Sequence, residues 1–151
     1  MRFLCDTNII SEAMKRSPNP DVKQWLNQEE GICLSVITVE EVYSGLTYKN
    51  AEKQREWFEK FLRERCRVLS VSSAIAVRCG KWRGQFRKQG IIRTQADLLI
   101  AATAYEYQLV LATRNIKDFE DCDIRLFNPF DKNDKHYENR SNGRANSPNP
   151  A

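Results

Sequence analysis

The sequence contains very little histidine and few glycines, and these two shortages exclude several kinds of active site. Among its 151 residues there is one histidine, His136, and it lies in a polar C-terminal stretch. Ser-His-Asp hydrolases, Cys-His hydrolases and histidine-based zinc enzymes therefore lack a residue that their chemistry requires. The six glycines form neither G-x-G-x-x-G nor G-x-x-x-x-G-K. Nucleotide binding through those phosphate-binding loops is therefore not expected.

Close cysteine pairs and long apolar runs are also missing. The five cysteines are odd in number and contain no C-x-x-C pair, which argues against a disulfide framework and against a zinc site. The N-terminus reaches Asp6 after three apolar residues, too few for a signal peptide. No apolar run approaches the roughly 20 residues of a membrane helix. These features predict a cytoplasmic protein that does not associate with a membrane.

What is present is the composition of one globular domain followed by a tail. The hydrophobic fraction of 41% and the charged fraction of 29% are ordinary, and a chain of this length is long enough to bury one core. The composition changes once, after Phe130, where residues 131–151 become rich in asparagine, proline and charge. We therefore predict a domain over residues 1–130 and a disordered polar tail over residues 131–151.

Within residues 1–130, short apolar segments alternate with longer amphipathic ones. The short segments predict five strands, over residues 2–5, 31–36, 67–71, 109–113 and 124–127. The longer segments predict helices over residues 50–65, 73–88 and 95–107, and the last of these is apolar on nearly every side. This alternation predicts an α/β fold with three layers, α/β/α, around a short, mainly parallel sheet of about five strands.

Four carboxylates follow the predicted strands or begin the helices after them: Asp6, Glu41, Asp97 and Asp118. The carboxyl ends of parallel strands share one edge of a sheet, so these acids should converge there. A divalent cation stabilises clustered carboxylates, and oxygen ligands without histidine or cysteine favour Mg²⁺ or Mn²⁺ over zinc. Such a site suits phosphodiester hydrolysis, because the cation activates water and stabilises charge on the phosphoryl oxygens.

The same residues are also explained by helix capping. Capping-box or related spacing occurs at Thr38…Glu41, Thr94…Asp97 and Asn115…Asp118. Acidic residues in a first turn stabilise a helix through its dipole, and Asp6 fits a turn residue ahead of a helix. At each single position a cap is the commoner explanation. Only the convergence of all four acids at one edge favours a metal site.

At these residues the sequence resembles the PIN-domain family, and within it the VapC-like and FitB-like toxin ribonucleases of bacterial toxin–antitoxin pairs. The resemblance covers residues 2–130. It rests on four motifs in the family's order, LCDTNIISE (4–12), SVITVEEVYSG (35–45), ADLLIAATA (96–104) and LATRNIKDFE (111–120), followed by FNPF (127–130).

The resemblance implies a metal-dependent endoribonuclease with Mg²⁺ or Mn²⁺ as its cofactor. It assigns Asp6, Glu41 and Asp97 as the catalytic, metal-binding acids, and Asp118 as the more variable fourth. It also implies an RNA substrate, a small antitoxin protein as partner, and a homodimer.

Three polar residues match positions around these acids in the family. Asn8 and Thr113 fit positions that orient the carboxylates, and Asn115 is a polar neighbour of Asp118. A non-catalytic PIN-like RNA-binding module is the main alternative function, although the intact acids argue against it. A phosphoacceptor signalling domain also binds Mg²⁺ in an acidic pocket, but only Lys117 is placed to serve it, within a motif that favours the nuclease.

A basic stretch without any acid separates Glu64 from Asp97. Its candidates for RNA binding beside the acids are Arg78, Lys81, Arg83, Arg87, Lys88 and Arg93. A solvent-exposed helix face explains these residues equally well. Trp82 and Phe86 lie among them at helical spacing, which favours core packing over base stacking.

The predicted helix over residues 50–65 carries an apolar face made of Trp57, Phe58, Phe61 and Leu62. Their spacing predicts packing in the core. The resemblance offers a second use for this face, as part of a groove for the C-terminal segment of the antitoxin.

Overall fold

Five short strands form one sheet in which every neighbouring pair is parallel. In the computed structural model, which describes residues 1–131 and 133–134, the strands are β1 (Phe3–Cys5), β2 (Ile32–Ser35), β3 (Cys66–Leu69), β4 (Val110–Ala112) and β5 (Leu126–Phe127). Their order in the sheet is β3-β2-β1-β4-β5, so β1 is central. The sheet of about five strands predicted from the sequence is confirmed. Of the predicted disordered tail, residues 132 and 135–151 lie outside the described residues.

Six helices connect the strands in the described part of the chain: α1 (Thr7–Ala13), α2 (Pro20–Gln28), α3 (Val36–Lys49), α4 (Glu52–Arg65), α5 (Ser73–Lys88) and α6 (Gln95–Glu106). A short 3₁₀ helix, Ile116–Phe119, follows β4. The three helices predicted from periodicity correspond to α4, α5 and α6 within two residues at each end. No helix among residues 1–131 and 133–134 is long and apolar enough to cross a membrane.

Side chains alternate across the sheet and enter two separate cores. Leu4, Cys33 and Leu111 belong to the core on one face, whereas Phe3, Leu34 and Val110 belong to the core on the other. All of them are buried, as expected for parallel strands that are covered on both faces. Consecutive residues of these strands are apolar because each face of the sheet packs against its own core.

Helices cover both faces, which confirms the predicted three-layer α/β/α arrangement. Helices α5 and α6 supply Ile75, Trp82 and Leu98 to the first core. Helices α1 to α4 supply a second group, which includes Ile9, Val22, Val42 and Phe58, to the other core. Because all the strands are parallel, the loops that follow them emerge at one edge of the sheet.

We expect Phe58→Ala to destabilise the fold strongly, because Phe58 is 0% exposed in the core between α4 and the sheet. Removing a buried aromatic ring leaves a cavity, and the free energy of unfolding should fall by about 3–5 kcal/mol. Urea denaturation followed by circular dichroism measures this change. Lys60→Ala, an exposed position two residues further along the same helix, is the control and should change stability by less than about 0.5 kcal/mol. A loss below about 1 kcal/mol for Phe58→Ala would contradict this packing.

Candidate metal centre

A pocket of about 440 Å³ lies at the carboxyl edge of the sheet. It is lined by Asp6, Thr7, Asn8, Ser11, Glu12, Lys15, Glu41, Asp97, Arg114, Asn115 and Phe130. Three of the four acids singled out in the sequence, Asp6, Glu41 and Asp97, therefore line one pocket. They come from the end of β1, from α3 and from the first turn of α6.

Asp6 is the most firmly held of the three acids and is 5% exposed. Its Oδ1 accepts a hydrogen bond from the Thr7 amide at 2.8 Å, so the side chain caps α1. Its Oδ2 accepts from the Thr113 hydroxyl at 2.8 Å and from Asn8 Nδ2 at 3.2 Å. Its backbone amide donates to the carbonyl oxygen of Ala112 in β4, at 2.8 Å. The Asp6 carboxylate thus both caps α1 and lines the pocket.

The environment of Asp6 is unfavourable for its negative charge. Burial raises the pKa of Asp6 from its usual value of 3.8 to about 6, although the hydrogen bonds from Thr113 and Thr7 act to lower it. The neighbouring carboxylates Asp97 and Glu41 raise this pKa further. A positive charge in the pocket would oppose both effects, because it favours the ionised form of every carboxylate near it.

Glu41 lies in the second turn of α3 and is oriented by Thr7. The Thr7 hydroxyl is 2.9 Å from Glu41 Oε1, to which it donates, and 3.2 Å from the Thr38 hydroxyl. The adjacent Glu40 is exposed and does not line the pocket.

The predicted capping box Thr38…Glu41 is wrong. Helix α3 begins at Val36, directly after β2, and Ser35 is its N-cap, accepting a hydrogen bond from the Ile37 amide at 3.1 Å. The N-cap thus lies three residues before the predicted one, because Ser35 provides the capping oxygen at the end of the strand. Thr38 is buried inside the helix.

Asp97 lies in the first turn of α6, where Thr94 is the N-cap. The Thr94 hydroxyl accepts a hydrogen bond from the Asp97 amide at 3.1 Å, so the Thr94…Asp97 cap is confirmed. The Asp97 side chain lines the pocket. A carboxylate at this end of a helix is stabilised by the helix dipole.

The structure does not bring Asp118 to this pocket. Asp118 is exposed on the 3₁₀ helix, and it is not among the described residues that line the pocket. The predicted Asn115…Asp118 cap is wrong, since Asn115 makes no side-chain cap hydrogen bond. This turn is closed instead by the backbone, with the Asp118 amide donating to the Asn115 carbonyl oxygen at 3.1 Å.

Thr113 connects three polar residues at the end of β4. Its buried hydroxyl donates to Asp6 and accepts from the Asn115 amide at 3.0 Å. Asn8 Nδ2 lies 3.5 Å from the same hydroxyl. The side chain of Asn115 lines the pocket, so the structure places Asn8, Thr113 and Asn115 around Asp6.

Three charged residues of the pocket were missed by sequence reasoning. Glu12 is buried, with its carboxylate 2.6 Å from Lys15 Nζ and accepting from the Asn19 amide at 3.0 Å. The hydrogen bond from Lys15 lowers the pKa of Glu12. Arg114 lies with its guanidinium 4.6 Å from the centre of the Phe130 ring. Glu12 could have been found from the sequence, because it follows Asn8 by four residues and so lies on the same face of a helix.

The basic residues that the sequence suggested for RNA binding lie elsewhere. None of the six is among the described residues that line the pocket. Arg78 is 3.5 Å from Glu106 and its guanidinium lies 4.0 Å from the centre of the Tyr105 ring, at the end of α6 opposite Asp97. Arg93 is paired with Asp121 at 3.3 Å.

The remaining basic residues of this group are exposed on α5, namely Lys81, Arg83, Arg87 and Lys88. Trp82 and Phe86 between them are buried in the core against α6. The prediction that these two aromatic residues pack inward is confirmed.

The side chains of the pocket suit a hard cation that retains part of its water. The described lining residues offer carboxylate, amide and hydroxyl oxygens and include no histidine or cysteine, which fits Mg²⁺ or Mn²⁺ and not zinc. Among residues 1–131 and 133–134, no three acidic, histidine or cysteine side chains are close enough to share one ion directly. This agrees with the habit of Mg²⁺, which binds through one or two carboxylates and keeps several waters.

Comparison with known proteins gives the family of the chain. The model of the family described as "PIN domain" matches residues 3–124. The toxin FitB of Neisseria gonorrhoeae is 32% identical over 136 residues, which are 85% of this chain and 98% of FitB. The VapC ribonuclease Y4jK of Sinorhizobium fredii is 32% identical over 137 residues, which are 85% of this chain and 98% of that protein.

Solved structures of similar proteins share the fold. The crystal structure of FitAcB from Neisseria gonorrhoeae superposes with a TM-score of 0.73 at 32% identity, over 85% of this chain and 98% of that one. A toxin–antitoxin complex from Klebsiella pneumoniae gives a TM-score of 0.67 at 28% identity, over 83% of this chain and 96% of that one.

We expect Asp6→Asn to stabilise the metal-free protein at pH 7.5. The folded-state pKa of Asp6 is raised, so its ionisation opposes folding above about pH 6 and has no effect below the pKa of the unfolded chain. An asparagine keeps the oxygen that caps α1 and removes this charge, while its amide nitrogen cannot accept from Thr113 and Asn8, which offsets part of the gain. The free energy of unfolding should rise by about 1–2 kcal/mol at pH 7.5, and the gain should disappear near pH 4.

Urea denaturation in the presence of a chelator, repeated between pH 4 and pH 8, measures this difference. Glu40→Gln removes an exposed carboxylate on α3 and is the matched control, with no expected change above about 0.5 kcal/mol. An Asp6→Asn protein that is less stable than the native one at pH 7.5 would contradict the unfavourable burial of the Asp6 charge.

Proposed function

Since the chain belongs to the PIN-domain family, we propose that it is a Mg²⁺- or Mn²⁺-dependent endoribonuclease that hydrolyses RNA phosphodiester bonds with water as the nucleophile. The observation that carries the proposal is the pocket lined by Asp6, Glu41 and Asp97, which has no histidine among its described lining residues. The relatives named a toxin and a VapC ribonuclease match over most of their length, which supports the same activity here.

Asp6, Glu41 and Asp97 would hold the metal ion. A bound divalent cation would lower the pKa of a water molecule and stabilise negative charge on the phosphoryl oxygens. Thr113 and Asn8 keep the Asp6 carboxylate in one orientation through their hydrogen bonds. Thr7 does the same for Glu41, and such outer contacts fix the direction in which a ligand oxygen points.

Two cations of the pocket would bind the scissile phosphate of the RNA. Lys15 and Arg114 both line the pocket together with the three acids. The backbone amide of Arg114 donates to Asn8 Oδ1 at 3.3 Å, and its side chain is placed by the Phe130 ring. Positioned cations of this kind stabilise charge that develops on phosphoryl oxygens during in-line attack.

We also propose that a small antitoxin protein neutralises this enzyme, that the protein acts in the cytoplasm, and that it forms a homodimer. The similarity to a solved toxin–antitoxin complex supports the partner. The five cysteines are all unpaired thiols, which suits a reducing compartment. The homodimer rests on the family resemblance alone.

We expect Glu41→Gln and Asp97→Asn each to lower RNA cleavage by at least about 100-fold, because each removes a charge that holds the cation. Cleavage of total cellular RNA in Mg²⁺ or Mn²⁺, with mapping of the new ends, measures this, and a chelator should abolish it. Glu40→Gln is the matched control and should cleave like the native protein. Metal-independent cleavage, or full activity in both pocket variants, would disprove the mechanism, and RNA binding without cleavage would favour the non-catalytic module.

Asp118 stays a predicted fourth metal ligand, and its position allows a separate test. It is exposed on the 3₁₀ helix and outside the pocket lining, so we expect Asp118→Asn to reduce cleavage less than Asp97→Asn does. Initial rates at saturating metal compare the two variants. Equal losses would show that Asp118 acts together with the pocket acids when the metal is bound.

A further inference from the structure

We propose that single-stranded RNA extends from the carboxylate pocket over Lys15 into a second, larger groove, where a base stacks on the exposed indole of Trp57. This inference rests on the proposed endoribonuclease function and names the surface that binds its substrate. The groove has a volume of about 740 Å³ and lies between the end of α1, α2 and the start of α4. We call it the basic groove, and its lining includes Lys15, Arg16, Lys23, Lys53, Gln54 and Trp57.

The basic groove adjoins the pocket at Lys15. Lys15 lines both of them. Its ammonium group is held at the boundary by Glu12, at 2.6 Å. A nucleic-acid strand whose phosphate lies beside Asp6 and Asp97 therefore meets the groove as soon as it passes Lys15.

The charge of the groove suits a polyanion. The charged residues among its described lining are all cations, namely Lys15, Arg16, Lys23 and Lys53. Of the acids on this part of α4, Glu52 and Glu59 are paired with Arg55 of the same helix, whereas Glu56 is exposed. Because Lys15 is paired with Glu12, Arg16, Lys23 and Lys53 are the cations that attract the phosphates of a strand and release their counterions.

The groove also contains a platform for an unpaired base. Trp57 is 37% exposed, and its ring is stacked on Phe61, with 4.9 Å between centroids and 12° between planes. Gln54 Nε2 donates to the Met14 carbonyl oxygen at 3.0 Å, which ties α4 to the end of α1. A fixed, exposed aromatic ring among cations is the combination that single-strand binding proteins use.

These features favour RNA over an acidic protein segment as the occupant. Both would be attracted by the cations, but every nucleotide carries a flat base that can stack on the Trp57 ring. They also favour the basic groove over the exposed face of α5, where Arg78 is paired with Glu106 and no basic residue of the helix lines the pocket.

Binding of a labelled 12-nucleotide single-stranded RNA tests the proposal, measured by fluorescence anisotropy on the full chain carrying Asp97→Asn so that cleavage is blocked. Adding Lys23→Glu with Lys53→Glu should weaken binding by at least about 10-fold and lower the salt slope by roughly 1.4. Lys81→Glu with Lys88→Glu on α5 changes the net charge equally and is the matched control. Its effect should stay below about threefold.

Trp57 gives a second, independent measurement. RNA should quench the tryptophan emission of the Asp97→Asn parent, and adding Trp57→Phe should retain most of the affinity but lose most of the quenching. Of the other two tryptophans, Trp82 is buried in the core and Trp25 is packed against Phe3 and Phe127. Trp57→Ala should weaken binding by about 5- to 100-fold, as loss of one stacked base predicts. Thermal unfolding of each variant separates a loss of binding from a loss of folding.

The outcomes separate this inference from the proposed function. If the groove variants bind RNA like their parent, or the α5 variants weaken binding more, the inference is wrong whether or not the native protein cleaves RNA. The same holds if polyglutamate binds the groove while RNA binding is insensitive to Lys23→Glu with Lys53→Glu. If RNA binding shows the expected pattern but the native protein cleaves no RNA in Mg²⁺ or Mn²⁺, RNA binding in the groove is supported and the endoribonuclease function is disproved.

Discussion

The buried carboxylate of Asp6 is the group on which the rest of the site depends. It ends the central strand, caps α1 through the Thr7 amide and receives the Thr113 hydroxyl from the end of β4. These contacts join the central strand, the first helix and the neighbouring strand at one point. The same carboxylate carries a raised pKa because it is buried beside two other acids. The fold thus holds this carboxylate where its negative charge is unfavourable, and this is the physical reason for expecting a cation there.

Acidic and basic side chains both line the pocket, and one of the acids is neutralised by a basic neighbour. Asp6, Glu41 and Asp97 face a common space, whereas Glu12 is already neutralised by Lys15. Glu12 therefore adds little repulsion, and its main effect is to hold Lys15 where pocket and groove meet. The net charge of +4 conceals this separation, because acids gather at the edge of the sheet while cations surround them. A phosphodiester strand is attracted by the surrounding cations before it reaches the acids.

Much of the fold was predictable from the sequence, and the failures have local causes. The strands β1, β2 and β4 were found because burial on both faces makes each of them a short apolar segment. Helices α4 and α5 were found because their apolar residues recur at helical spacing, and α6 because its apolar segment is longer than a strand. Helices α1 and α2 have only 7 and 9 residues, too few for a clear period. Because no helix was predicted over these residues, Glu12 and Lys15 were not recognised as residues of the pocket. Arg78 looked available for RNA because its partner, Glu106, lies 28 residues further along the chain, a separation that no local pattern reveals.

The junction between β2 and α3 has no loop at all. Ser35 is both the last residue of the strand and the N-cap of the helix, which starts at Val36. Because no loop intervenes, the end of β2 fixes the direction in which the Glu41 side chain points from the helix axis. Each residue of an α-helix advances by about 100°, so adding or deleting a single residue at this junction turns Glu41 away from Asp6 by more than a quarter of a turn. The length of the chain between Cys33 and Glu41 is therefore constrained as strictly as the identity of the acid.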